Sequence, residues 1–407
     1  MTTTLKQVSS IENFIMKNTI YFFLKIGTFS LLLFLVACQN ENLKKEKAPV
    51  NTKEHVLIVG TYTEKEAHVN GKGEGIYVYK FNAETGELTY QSKVTNTVNP
   101  SYLVPHPNRQ YLYAVNEIGG EGGTVSAFSI EPTTYQLNLL NKVSSKGNAP
   151  CYIDTDGKFV YVANYSSGNV GLFPINKNGK LEEAVSVLNH GKSKSRHPRQ
   201  TKSHAHFFAP KSNSQEAYAV DLGVDKIFTY QVDTTNQGLI LLSEQSMKGN
   251  EVGARHLVWH PTKNWLYVIN ELNGTIEVFK QGLKVIELAH FQTIKTIADS
   301  TAVDASSADI HITPNGKFLY ASNRGTYNNL AMYQINQKTG VLTFLGNQST
   351  KGKSPRNFVI DSDGQFLLVA NQDSDNIVIF KINQETGILE DTGIETKVNT
   401  PVCLKFL

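Results

Sequence analysis

The chain has 407 residues, a formal charge of +3, 18% charged residues and 10% aromatics. That length suits one large all-β domain or two to three average ones, and at this size a core needs no disulfide or metal staples. The near-neutral balance argues against a nucleic-acid partner recognised by bulk charge. The three cysteines, Cys38, Cys151 and Cys403, show no CxxC spacing and form no disulfide framework. Cys151 and Cys403 sit in apolar runs and read as small buried hydrophobes.

Residues 1–37 read as an export signal, with Met16 as an alternative start. Lys17 and Lys25 supply a positive region and residues 26–37 an apolar one. The run Leu35-Val36-Ala37-Cys38 is similar to a bacterial lipobox, which implies a lipidated Cys38 as mature N-terminus and a place in the bacterial cell envelope. The alternative is an uncleaved membrane anchor. Residues 38–53 are polar and aperiodic and read as a flexible tether.

From residue 54 to 407 one phrase recurs. A strand ends in a polar residue at Thr61, Asn116, Asn164, Asp221, Asn270, Asn323 and Asn371, at intervals of 48 to 57 residues. This is the second strand of each phrase, and a third, apolar strand follows it each time (75–81, 124–130, 169–175, 226–232, 275–280, 329–335, 376–382). A more polar strand then begins near Leu88, Leu137, Leu181, Leu239, Val285, Leu342 and Leu389, after Gly-bearing turns such as Glu84-Thr85-Gly86. Six preceding strands lie at 100–105, 149–154, 204–209, 255–260, 308–313 and 355–360. A period near 50 in an all-β chain predicts a seven-bladed β-propeller. The seventh preceding strand is the C-terminus, 401–407, which should pair with residues 55–62 and close the ring.

In such a ring the innermost strands line a channel. Their starts share one mouth with the ends of the second strands, which gathers His204, His206, Arg255, His256, Asp309, His311 and Arg356 with Glu117, Tyr165, Asp221, Glu271, Arg324 and Gln372. Buried charges of both signs must be paired or wet, so the plain alternative is an ion-pair network gluing the blades. Asp221 and the Asn residues suit a structural role, bonding loop backbone. The unlike residues at equivalent positions favour function for His206, Arg255, Glu271 and Arg324. A basic loop, 190–203, brings Lys192, Lys194, Arg196, Arg199 and Lys202 towards the same mouth, either as a solvated run or to steer an anion. The turns at the opposite mouth, such as 106–110 and 260–264, read as plain turns. No P-loop, GxGxxG, HExxH or GxSxG occurs in a suitable context, so no cofactor is expected. Glu117, Asp221, Glu271 and Asp309 could ligate calcium or magnesium, but the surrounding Arg and His already supply positive charge.

The segments NPSYLVPHPNRQYLYAVNE, SHAHFFAP with DLGVDKIFTY, GARHLVWHPTKNWLYVINEL, ADIHITPNGKFLYASNRG and SPRNFVIDSDGQFLLVANQDSDN resemble the lactonase family of seven-bladed propellers. That family includes propeller-type 6-phosphogluconolactonases and fungal carboxy-muconate lactonising enzymes. The resemblance covers residues 55–407 and implies a metal-independent ester-ring hydrolase acting on a small, anionic or sugar-derived lactone. It places His206, Arg255 and Glu271 on three proposed catalytic positions, with Arg324 expected as the fourth and Arg356 as the alternative. Asp309 stands where the family often has Glu. His204, His256, Glu117, Asp309, His311, Arg356 and Arg199 are then expected to bind substrate. Two other functions stay open: a non-catalytic envelope propeller that binds carbohydrate or protein, and a metal-dependent sugar lactonase.

Overall fold

A computed structural model describes residues 54–407 apart from residue 121 and residues 298–304. The expected leader 1–37 with Met16, the lipidation site Cys38 and the tether 38–53 lie outside the described residues.

Seven four-stranded antiparallel sheets account for the repeated phrase. We number the blades from the one that closes the ring. Its innermost strand is Pro401–Phe406, paired with Glu54–Thr61 in the register Leu57 to Phe406 and Gly60 to Cys403. The two ends of the domain thus complete one blade, as expected. The innermost strands of blades 2 to 7 are Leu103–Pro105, Pro150–Thr155, Ala205–Pro210, Ala254–Trp259, Ser307–Ile312 and Pro355–Ile360. Each touches the innermost strand of the next blade, and the sequence of contacts runs fully round the ring.

The strand pattern explains the core. Second and third strands are buried on both faces, so they read as continuous runs such as Phe159–Asn164, with every residue buried. Fourth strands face water on one side and alternate, as in Leu389–Lys397. Two fourth strands start later than the Leu and Val signals suggest. In blade 3 the strand begins at Ser186, because Leu181 is buried in an isolated bridge to Ile175. In blade 5 it begins at Leu288, after a turn closed by Gly282 N donating to Glu287 O at 2.8 Å.

One irregularity positions everything that follows. In six blades the pairing of the innermost strand with its neighbour shifts register at its start: around Cys151, His206, Arg255, Ala308–Asp309, Arg356 and Val402. Such bulges bend a strand and re-aim a side chain. Just upstream, Asn99, Ala149, Gly253, Ser306, Ser354 and Thr400 hold positive φ between 40° and 70°. This left-handed residue turns the chain into the channel at equivalent points of six blades. Only Gly253 adopts it without a Cβ penalty.

Candidate active site

Two rings of side chains meet at one channel mouth. The bulge position of six innermost strands, with Ser101 at the equivalent point of blade 2, supplies Val402, Ser101, Cys151, His206, Arg255, Ala308 and Arg356 in blade order. The residue after each second strand supplies Tyr62, Glu117, Tyr165, Leu222, Glu271, Arg324 and Gln372. Between them lies a cavity of about 640 Å³ whose lining includes Glu117, Cys151, Tyr165, Arg199, His206, Arg255, Glu271, Arg324 and Arg356. That volume is in the range of small-molecule sites. A two-stranded hairpin, Lys65–Glu66 with Val69–Asn70, adds Glu66, Ala67 and His68 to the wall.

Glu271 is the electrostatic centre. Its Oε2 accepts from Arg255 Nε at 2.8 Å and lies 3.1 Å from a terminal nitrogen of Arg324, while Oε1 accepts from Arg199 at 3.0 Å. Burial alone would raise its pKa, but Arg324, Arg255, Arg199 and Arg356 outweigh it and bring the carboxyl down to about 2. A carboxylate so strongly held in its ionised form is a poor proton acceptor. Its role is to gather guanidinium groups. Burial, only partly offset by Glu271, brings Arg324 down to about 10, and Arg324 is further tied by Nε to Ser306 O at 2.9 Å.

Arg356 differs from its three neighbours. It donates to the Tyr62 hydroxyl at 3.0 Å and lies over the Tyr62 ring, and it forms no ion pair among the described residues. The lining carries four guanidinium groups against the carboxylates of Glu66, Glu117 and Glu271. The surplus is positive, and Arg356 is where it sits.

His206 Nδ1 lies 3.7 Å from Cys151 Sγ, and its Nε2 takes no hydrogen bond from the described residues. Its pKa is well below the usual histidine value, mainly through burial, with Arg255, His256 and Arg356 adding to the effect. His206 is therefore neutral at physiological pH. Burial also pushes the Cys151 thiol up, so this sulfur stays protonated and is no nucleophile.

Not every expected residue reaches the cavity. His204 stacks on the Tyr165 ring at 4.4 Å outside it. His256 and Asp309 sit one level below the mouth, where His256 Nδ1 and Asp309 Oδ1 are 2.9 Å apart. His311 bonds the other Asp309 oxygen at 2.9 Å and lines the opposite mouth. The bulge is the reason: it adds one residue before regular alternation resumes, which rotates the following side chains into the channel. Of the basic loop, only Arg199 lines the cavity, carried by the short 3₁₀ turn Pro198–Gln200. Lys192, Lys194 and Arg196 border a separate surface groove, and Lys202 bonds Ser166 O at 2.7 Å. Glu117 and Arg356 do line the cavity. Asp221 and the Asn residues brace loops as expected: Asp221 accepts from His204 N at 2.7 Å, and Asn116 donates to Val98 O at 2.7 Å. Tyr62, Glu66, His68 and Cys151 did not stand out as site residues. Only Tyr62 carried a signal, since it follows the second strand of blade 1 as Glu117 follows that of blade 2.

Two of the four carboxylates considered as ligands for a hard cation are already engaged. Glu271 is taken by guanidiniums and Asp309 by two imidazoles and Asn357. No group of three or more acid, His or Cys side chains suited to a metal occurs among the described residues.

Residues 56–406 match the family model described as lactonase, 7-bladed beta-propeller. The chain belongs to this lactonase family. Its curated relatives include a 6-phosphogluconolactonase of Bacillus subtilis, 34% identical over 87% of this chain and 98% of that protein. Among solved structures, a Bacteroides fragilis protein is 36% identical with a TM-score of 0.81, covering 88% of this chain and 99% of its own. A periplasmic gluconolactonase from Pseudomonas aeruginosa is 31% identical with a TM-score of 0.79, covering 87% and 99%. Membership makes this chain an enzyme of the lactone-opening, carboxylic-ester hydrolase class, similar to the 6-phosphogluconolactonases.

Proposed function

We propose that the cavity opens an anionic or sugar-type lactone by attack of water, with His206 as general base and the arginines stabilising charge. One observation carries this reading: a positive cavity in which Arg356 forms no ion pair among the described residues and a neutral imidazole stands beside it. Attack on the lactone carbonyl builds negative charge on its oxygen. Preorganised guanidiniums of Arg255 and Arg356 match that change, and stabilisation of this kind is often the largest catalytic term. Arg199 at the rim and Arg324 in the wall suit a substrate phosphate or carboxylate. Glu271 holds Arg255, Arg324 and Arg199 in place and takes no proton. Glu271, which the resemblance set among the catalytic positions, is on this reading an anchor for guanidiniums and not a base.

The lipobox-like run supports export and tethering through Cys38. The relative from P. aeruginosa is a periplasmic enzyme. A phosphorylated substrate would be expected in the cytoplasm, so an unphosphorylated sugar lactone is the competing substrate. Residues 39–407 should accelerate ring opening of 6-phosphogluconolactone, gluconolactone or both above the spontaneous rate, followed by acid release. Absence of acceleration on every sugar lactone sinks the reading. The ratio of the two rates identifies the substrate.

The depressed pKa of His206 also sets a pH expectation. A lowered pKa keeps the base deprotonated as pH falls through the ordinary histidine range near about 6.5. The kcat/KM should therefore stay flat from pH 8 to 6 after correction for the spontaneous reaction. The groups facing His206 are Arg255, His256, Arg356, Cys151 and Tyr165. The Glu117 carboxylate, which lines a small niche with His206, is the one charged group there that favours the imidazolium, and burial with the cationic neighbours outweighs it. A fall by half near pH 6.5 would show that His206 is not so depressed or not the base.

A further inference from the structure

Below the main cavity the channel narrows to a niche of about 10 Å³, lined by Ser101, Glu117, His206, Arg255, Arg356 and their neighbours. That is roughly the volume of one water molecule by the same measure, and a water held in a protein needs two to four polar partners. The niche supplies them from four blades.

Glu117 is built to serve it. The carboxylate is buried, and its Oε2 accepts two hydrogen bonds, from the Tyr62 hydroxyl at 2.7 Å and Ser101 Oγ at 2.5 Å. Tyr62 in turn accepts from Arg356 at 3.0 Å and lies 3.1 Å from His68 Nε2. These contacts fix the side chain and consume one oxygen. Oε1 takes no hydrogen bond from the described residues, and His68 Nε2 lies 3.9 Å away on an imidazole whose pKa burial lowers to about 4. So Glu117 and His206, which line both the niche and the main cavity above it, each keep one polar atom, Oε1 and Nε2, without a hydrogen bond from the described residues.

We propose that Glu117 is a catalytic residue that seats the attacking water with His206. This rests on the lactonase reading above. The water gives one O–H to Glu117 Oε1 and the other to His206 Nε2, which aims its lone pair into the main cavity. As the water oxygen bonds to the lactone carbonyl carbon, its proton passes to His206. The carbon–oxygen ring bond then breaks, and the departing ring oxygen takes that proton back from His206. The new carboxylic acid ionises and releases one proton to solvent. Glu117 keeps its charge throughout, and its bond to water is strongest when the water carries positive charge in the transition state.

The test uses Glu117→Gln, which keeps the shape and removes the charge. With a lactone that wild type opens, kcat should fall about 100-fold, in the range of a lost hydrogen bond to charge developing in the transition state. The KM, and the Kd for the hydroxy-acid product, should stay within about threefold. Formate should restore part of the kcat of Glu117→Ala, because a free carboxylate can enter the vacated space. Tyr62→Phe, which leaves the carboxylate but frees its orientation, gives a second reading if the first variants fold poorly, with kcat about tenfold down. Wild-type kcat in Glu117→Gln or Tyr62→Phe overturns the proposal. So does a loss of product affinity that matches the loss of kcat, or an absence of formate rescue in folded Glu117→Ala. Failure of wild type itself on every lactone would strike the lactonase reading instead.

Discussion

Replacing Arg255 by alanine should lower kcat for lactone opening by roughly 10²–10³-fold while the seven-bladed fold persists. Arg255 is 2% exposed, yet it is held at three points. Its Nε donates to Glu271 at 2.8 Å, and one terminal nitrogen donates to Ala308 O at 2.5 Å and approaches His256 Nε2 at 3.3 Å. His256 can accept there because its Nδ1–H faces Asp309 Oδ1. Burial, then Arg255 itself, keep His256 neutral, with a pKa near 4. The guanidinium is thus fixed before substrate arrives, which is what makes a charge useful in the transition state. Lysine should not substitute, since a point charge cannot satisfy the three directions. Steady-state kinetics and circular dichroism on Arg255→Ala and Arg255→Lys decide this. Near wild-type kcat in either variant would remove Arg255 from the mechanism.

Glu271→Gln should be the most destabilising single change in the cavity. It removes the carboxylate shared by Arg255, Arg324 and Arg199 and leaves Arg356 close by. Breaking a buried pair by deleting one partner costs about 3–5 kcal/mol, and the lower end applies because Arg199 is half exposed at the solvent side. Urea unfolding should show the loss, and phosphate or sulfate should return part of it by occupying the surplus positive site. Because the carboxyl titrates near 2, this contribution is present above the unfolded Glu value and is lost only as pH falls through about 2 to 4. A variant as stable as wild type, with no response to anions, would show that the guanidiniums do not depend on Glu271.

How much of this was legible beforehand varies by residue. His206, Arg255, Glu271 and Arg324 reached the mouth as the repeat predicted, because the ends of antiparallel strands lie at one edge of a blade whatever its details. His256 and His311 did not, because each lies past a bulge that the sequence does not mark, and Asp309 did not, because it lies within one. Of the two arginines weighed for the fourth catalytic position, Arg324 pairs with Glu271 and Arg356 forms no ion pair among the described residues. Nothing local separates those two arginines. The difference is that Glu271 lies within reach of one and not of the other.

The sequence alone determined the architecture. The spacing of polar strand ends counted seven blades, and a C-terminal strand without a partner required closure, since an open edge would leave backbone groups unpaired. The tertiary structure alone decided which charges meet. Pairing energies depend on distances of a few ångströms between blades about 50 residues apart, and register shifts of one residue choose which side chain enters the cavity. The gathering of arginines on Glu271, the free oxygen of Glu117 and the niche beside it all arise at that level.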